Sequence, residues 1–187
     1  SSLLDFRTRR LLCNSLVFSG LTYCVSAWYS GLGIGLKQRL DIVQRKMVRF
    51  VKGWGPRSHV GRTEIDAVGW LYFPERVKFF NLCHLYIVKV GLAPGYLSRD
   101  FVPTRNVHSH VTRGSCLNFF ANSRVFSPNT FHYTDVRDRN LLPNNLKNAL
   151  TLTSFKRGLR QHLSLRSATD PECLMITLIL SVNKFIL

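Results

Sequence analysis

The chain has 187 residues, enough for one domain of ordinary size or two small ones, with 45% hydrophobic and 19% charged residues. That balance supports a buried core and argues against wholesale disorder. Its 26 Lys and Arg against 10 Asp and Glu give a formal charge of +16, so its surface attracts polyanions, either nucleic acid or anionic membrane.

The five cysteines, Cys13, Cys24, Cys83, Cys116 and Cys173, are odd in number and have no C-x-x-C spacing. This argues against a secreted disulfide framework and a zinc ribbon. It fits small buried hydrophobes in a reducing, intracellular compartment, nuclear or cytoplasmic. Arg7, Arg9 and Arg10 interrupt the N-terminal region before any long apolar stretch, so no signal peptide is read there. The start at Ser1 without an initiator Met fits a fragment or a processed piece.

In chain order, Thr8 to Tyr29 reads as a helical segment. Leu11, Leu12, Ser15, Leu16, Ser19, Tyr23, Ala27 and Trp28 fall near one broad stripe, with a kink or close packing at Gly20. "SGLGIG" then forms a loop. With no strand before it and no Lys-Ser/Thr partner, it is not read as a phosphate loop. A second helix is expected from about Gly35 to Lys52. Leu36, Leu40, Val43, Met47, Phe50 and Val51 share an arc about 120° wide. Arg45, Arg49 and Lys52 lie opposite, Arg39 and Lys46 lie on a flank, and Gly53 with Gly55–Pro56 ends the helix.

A short segment, "RTEIDAVGWL", leads through Gly69 to a central helix near 74–90, with Pro74 and Glu75 in its first turn and Gly91 as its cap. Residues 103–134 are rich in Asn, Ser, Thr and Pro. Leu117–x–Phe119 and Phe131–x–Tyr133 there read as short strands or an irregular hairpin. A last amphipathic helix places Phe155, Leu159 and Leu163 at i, i+4 and i+8, capped by Thr153 or Ser154. The apolar run in the tail "CLMITLILSV" is about half the roughly 20 residues a spanning helix needs, so no stable membrane span is expected.

Catalytic chemistry finds little support. Metal-assisted phosphoryl transfer needs converging acids. The close pairs Glu64/Asp66, Asp135/Asp138 and Asp170/Glu172 include no Tyr-x-Asp-Asp or Asp-x-Asp arrangement and read as surface charges and caps. His108 and His110, with Cys116, could chelate a metal from one strand face, but no further ligand falls in register. Cys83 and His84 diverge by about 100° on a helix, which excludes a dyad made of those two. The basic residues form a richer pattern. Arg7, Arg9, Arg10, Arg39, Arg45, Lys46, Arg49, Lys52 and Arg57 are interleaved with Tyr23, Trp28, Tyr29, Phe50 and Trp54. Cations with aromatic packing suit a phosphate backbone. A solvated basic surface over an aromatic core fits the same residues, and the two readings stay open at this point.

Several landmarks occur in an order that resembles one family: "LTYCVSAW", "LDIVQRKMVRFV", "GWLYFPERVKFFNLCHLYIVKVGLAPGYL", "HSHVTRGS" and "SPNTFHYTDVRDRNLLPNNLKNALTLTSFKRGLRQHL". Over residues 8–165 the chain resembles the segment downstream of the palm in reverse transcriptases of jockey-like non-LTR retrotransposons. Tyr23, Trp28, Gln44–Arg45, Trp70–Leu71, Arg76, Pro94, Asn140 and Phe155–Lys156 are among the matching positions. Arg139 stands where the family usually has Trp, and the tail beyond Ser167 has no counterpart. The resemblance implies a mainly α fold: a thumb-like helical bundle at 1–54 and a helical continuation at 55–101. An irregular segment with a few short strands follows at 102–150, then a terminal helix at 151–166 and an apolar tail at 167–187.

It also implies a partner, template–primer nucleic acid, and a neighbour, the upstream palm and fingers of the same polyprotein. Arg39, Arg45, Lys46, Arg49 and Lys52 are then the candidate nucleic-acid contacts, with Arg45, Arg49 and Lys52 facing duplex phosphates. The parent polymerase would need Mg2+. This chain carries no palm acids and no cofactor of its own, so it is not expected to polymerise alone. A non-catalytic basic helical module, on nucleic acid or anionic membrane, and a decayed retrotransposon relic are the alternatives.

Overall fold

A computed structural model describes residues 4–107, 118–120 and 130–169. Among these the fold is mainly helical, as expected, with no sheet. Helix α1 (Phe6–Leu12) opens on Asp5, whose side chain accepts from the Thr8 amide at 3.0 Å. It continues through a π-helical turn, Cys13–Phe18, into α2 (Ser19–Thr22). The chain then breaks at Cys24, in the left-handed region at φ 46°, rather than at Gly20, and resumes as α3 (Val25–Trp28). Next come α4 (Ile34–Lys52), α5 (Arg62–Ala67), α6 (Phe73–Lys89), α7 (Gly95–Ser98), α8 (Phe131–Asn140), α9 (Asn144–Lys147) and α10 (Leu152–Thr169).

Helix α6 is central because three clusters of buried side chains share it. Phe73 and Val77 pack with Phe18, Val48, Val51 and Ile65. Leu82, Cys83 and Tyr86 pack with Leu146, Phe155 and Leu159. Leu85 and Val88 pack with Phe101, Phe119 and Val136. A helix apolar on nearly all sides is stable only when covered on all of them. Burial has a chemical consequence here, since it pushes the Cys83 thiol up to about 11. On α10, Phe155, Leu159 and Leu163 are all buried at the expected spacing. The cap differs: Thr151 Oγ1, not Thr153 or Ser154, accepts from the Ser154 amide at 3.2 Å.

Three further expectations are corrected. Phe131–x–Tyr133 is not extended but begins α8; its Thr134 hydroxyl donates to the Thr130 carbonyl at 3.0 Å. Phe119 keeps an extended pairing, an antiparallel bridge to Pro103 flanked by Thr104 N–H to Asn118 O and Phe120 N–H to Val102 O. The stripe proposed for the first segment is largely solvent-facing, with Leu11, Ser15, Leu16, Ser19 and Tyr23 exposed. Cys13, Phe18 and Val25 are buried instead, because the π turn and the break at Cys24 change the angular register that a uniform helix would keep. Finally, Asp135 is no surface charge but is buried between α6 and α8. Leu117, His108, His110, Cys116, Asp170, Glu172 and the tail from 170 lie outside the described residues.

Arg139 is buried with its guanidinium 4.6 Å over the Phe119 ring. Burial pulls its pKa down to about 10. A planar guanidinium stacks favourably on an aromatic face.

Candidate nucleic-acid interface

The candidate cations ride on α4, whose ends are defined by glycines. Gly33 leads in from extended backbone, and Gly53 closes the helix at φ 69°. The Trp54 amide then bonds back to the Arg49 carbonyl at 2.9 Å, a left-handed C-cap that glycine adopts without strain. Gly53 also makes room for α1, since a Cβ there would stand 2.6 Å from Arg9 Nη1. Arg9 uses that space to donate to the Phe50 carbonyl at 3.3 Å, placing a cation at the negative end of α4.

The buried face of α4 is Gln44, Met47, Val48 and Val51, with Leu40 and Val43 partly buried. Leu36 and Phe50, expected in the core, are 49% and 47% exposed. At 100° per residue the buried stripe is turned by about 50° from the purely apolar one. The cause is Gln44, which has no exposed surface. Its Nε2 donates to the Leu71 carbonyl at 2.8 Å and its Oε1 accepts from the Phe73 amide at 2.9 Å. A polar side chain whose donor and acceptor are both satisfied can occupy the centre of a buried face.

This rotation exchanges the roles of the five candidates. Arg45, Arg49 and Lys52 are half-buried and already engaged within the chain. Arg45 pairs with Asp41 at 2.7 Å. Arg49 Nε donates to the Ser58 carbonyl at 2.7 Å. Lys52 Nζ lies 5.7 Å from the Phe6 ring centre and 5.9 Å from that of Trp54. Arg39 and Lys46 are the exposed pair, and neither makes an ion pair among the described residues. Seven residues apart, they lie within about 20° of one another on the helix. The apolar pattern concealed two members of this face: exposed Ile42 lies between Arg39 and Lys46, and exposed Phe50 lies one turn beyond Lys46.

The outward face of α4 therefore alternates cations with apolar side chains. The single acid of the helix, Asp41, is held by Arg45, so no carboxylate of α4 competes for that face. Exposed Arg7 and Arg57 add charge beside its C-terminal end. Among the described residues the acids form no catalytic constellation. Glu64 accepts from the Gly61 amide at 2.7 Å as a helix cap, and Asp138 faces Lys78 at 3.8 Å. Among the described residues, no three His, Cys, Asp or Glu side chains are grouped to hold a metal, and no helix is long and apolar enough to cross a membrane. No protein-family description matches the chain, and no curated protein or solved structure is detectably similar to it.

Proposed function

We propose that this chain binds template–primer nucleic acid as the thumb-like, C-terminal part of a reverse transcriptase of the non-LTR retrotransposon kind. The observation that carries the binding is the outward face of α4, where Arg39 and Lys46 stand exposed beside Ile42 and Phe50 on a chain of formal charge +16. Cations there would contact phosphates, while the apolar pair would rest on sugar or base surface. Exposed Leu11, Leu16, Tyr23 and Ile34 form apolar surface that the upstream palm and fingers would cover. In that setting the chain is non-catalytic, the polymerase Mg2+ belongs to the palm, and the site of action is nuclear or cytoplasmic.

The test is duplex binding followed over a range of salt concentrations. Each phosphate contact contributes about −0.9 to the log–log slope for B-form DNA. The Arg39→Ala/Lys46→Ala double variant should therefore lose affinity and show a slope shallower by about 1.8. An unchanged slope would remove these residues from the interface. The same mixed face favours a second reading, adsorption to anionic membrane through a basic amphipathic helix. Acidic vesicles that compete fully against duplex for the chain would support that reading instead.

A further inference from the structure

A second group of arginines lies away from the outward face of α4, where α1, α6 and α10 meet the Gly69 turn. Gly69 has φ 78°, and a Cβ on it would come within 3.0 Å of Arg10 Nη2. On the α10 side, Arg160 Nη2 donates to the Gly69 carbonyl at 2.5 Å. Arg76, in the first turn of α6, lies with its guanidinium 3.9 Å over the Phe18 ring and 5.8 Å from the Phe80 ring centre. Arg76 and Arg160 line one small cavity of about 90 Å³ together with Leu71, Phe79 and Phe80. That volume holds several waters or one small oxyanion.

The charges in this cavity are unbalanced. No described carboxylate pairs with Arg76 or Arg160, and the two guanidinium groups repel each other. Burial and that repulsion both act to lower the Arg76 pKa. The Nε–H of Arg76 and that of Arg10 are buried without a protein acceptor. Contact with Phe18 and Phe80 favours the cation but supplies no acceptor in line with its N–H groups. Two guanidinium forks facing a small, apolar-walled space match the geometry and charge of a tetrahedral oxyanion.

We infer that the cavity between Arg76 and Arg160 is a binding site for one phosphate group. Arg76 forms its inner wall and Arg160 its exposed rim, with Arg10 adding positive potential from across the Gly69 turn. The site does not depend on α4 or on the function proposed for it.

The experiment is a titration of the whole chain with inorganic phosphate at constant ionic strength, read from the arginine Nε–H resonances in nitrogen-15 NMR spectra. Saturable shifts of the Arg76 and Arg160 signals, with one site per chain, are expected. Arg160→Gln, a rim change that leaves the Phe18 contact in place, should weaken phosphate at least tenfold. Arg76→Lys should also weaken it by keeping the charge and losing the fork. Absent or non-saturable shifts, or a folded Arg160→Gln variant with parental affinity, would overturn the site. A duplex added to the parent then separates the sources of the phosphate. Shifts of the same two signals identify a strand phosphate, and shifts only with inorganic phosphate identify a small phosphorylated ligand. Binding of inorganic phosphate by a chain that ignores duplex would uphold this site while removing the function proposed for α4.

Discussion

Gln44 and Phe73 hold α4 and α6 together: the Gln44 Oε1 accepts the Phe73 amide at 2.9 Å, with the glutamine side chain fully buried. Its amide nitrogen is committed to Leu71 at the same time, so one side chain clamps the extended link that enters α6. Replacing it with an apolar residue leaves a buried N–H and a buried carbonyl without partners, each costing about 1–3 kcal/mol. Gln44→Leu should lower stability by about 2–4 kcal/mol in urea unfolding, despite its higher hydrophobicity. A variant as stable as the parent would mean that the link finds other partners.

The Asp135 carboxyl should make the fold respond to pH. Burial pushes it up to about 7 from its ordinary 3.8, and the nearby Asp138 charge adds to this. The hydrogen bonds from Asn81, at 2.9 Å, and from Thr134 pull the other way. Above pH 7 the carboxylate is ionised in both states, and its burial penalty, on the order of 4 kcal/mol at 1.36 kcal/mol per pH unit, is fully present. As pH falls from 7 towards 4 the folded state keeps the proton that the unfolded chain loses, so this group's contribution to stability rises. Asp135→Asn keeps an acceptor for Asn81. It should be more stable than the parent at pH 8, with the advantage shrinking towards pH 4. Parallel pH profiles for the two proteins would contradict this.

Gly53→Ala should cost about 1–2 kcal/mol. The new methyl group meets both the positive φ and the Arg9 guanidinium. Gly20→Ala has nothing within 4 Å of the added Cβ and sits in a helical segment, so it should be neutral or slightly stabilising. Thermal unfolding of the two variants gives the comparison directly.

Charge reversal separates the two sets of α4 cations. Arg39→Glu with Lys46→Glu should weaken duplex binding by tenfold or more while leaving the melting temperature nearly unchanged, because both side chains are exposed. Arg49→Gln should do the opposite. It removes the bond to the Ser58 carbonyl and should lower stability by about 1 kcal/mol, with a smaller effect on binding. Binding assays and unfolding on the same preparations decide it.

The long helices were legible in the sequence because their apolar spacing is strong and their ends carry glycine or proline. The expectation of a helix near 74–90 corresponds to α6, and Phe155, Leu159 and Leu163 face inward as their spacing requires. Phe131 and Tyr133 misled because two aromatic residues two apart match the strand period and not the helical one. The seven residues after them that complete α8, Thr134 to Asn140, carry almost no apolar signal beyond Val136. What stabilises α8 is contact with α6: Val136 in the shared core and Asp135 bonded to Asn81.

The sequence by itself determined the positive charge, the helical class and the presence of a basic amphipathic helix from about 35 to 52, since composition and local periodicity are properties of the chain alone. Only the tertiary structure decided which side of that helix is buried. A hydrophobic pattern counts Gln44 as polar, yet the free carbonyl of Leu71 and amide of Phe73 make its burial favourable. That one exchange of partners exposes Phe50 and turns Arg39 and Lys46 outward. The meeting of Arg76 with Arg160 has the same origin. They are distant in sequence and are brought together only because α10 packs on α6 beside the Gly69 turn.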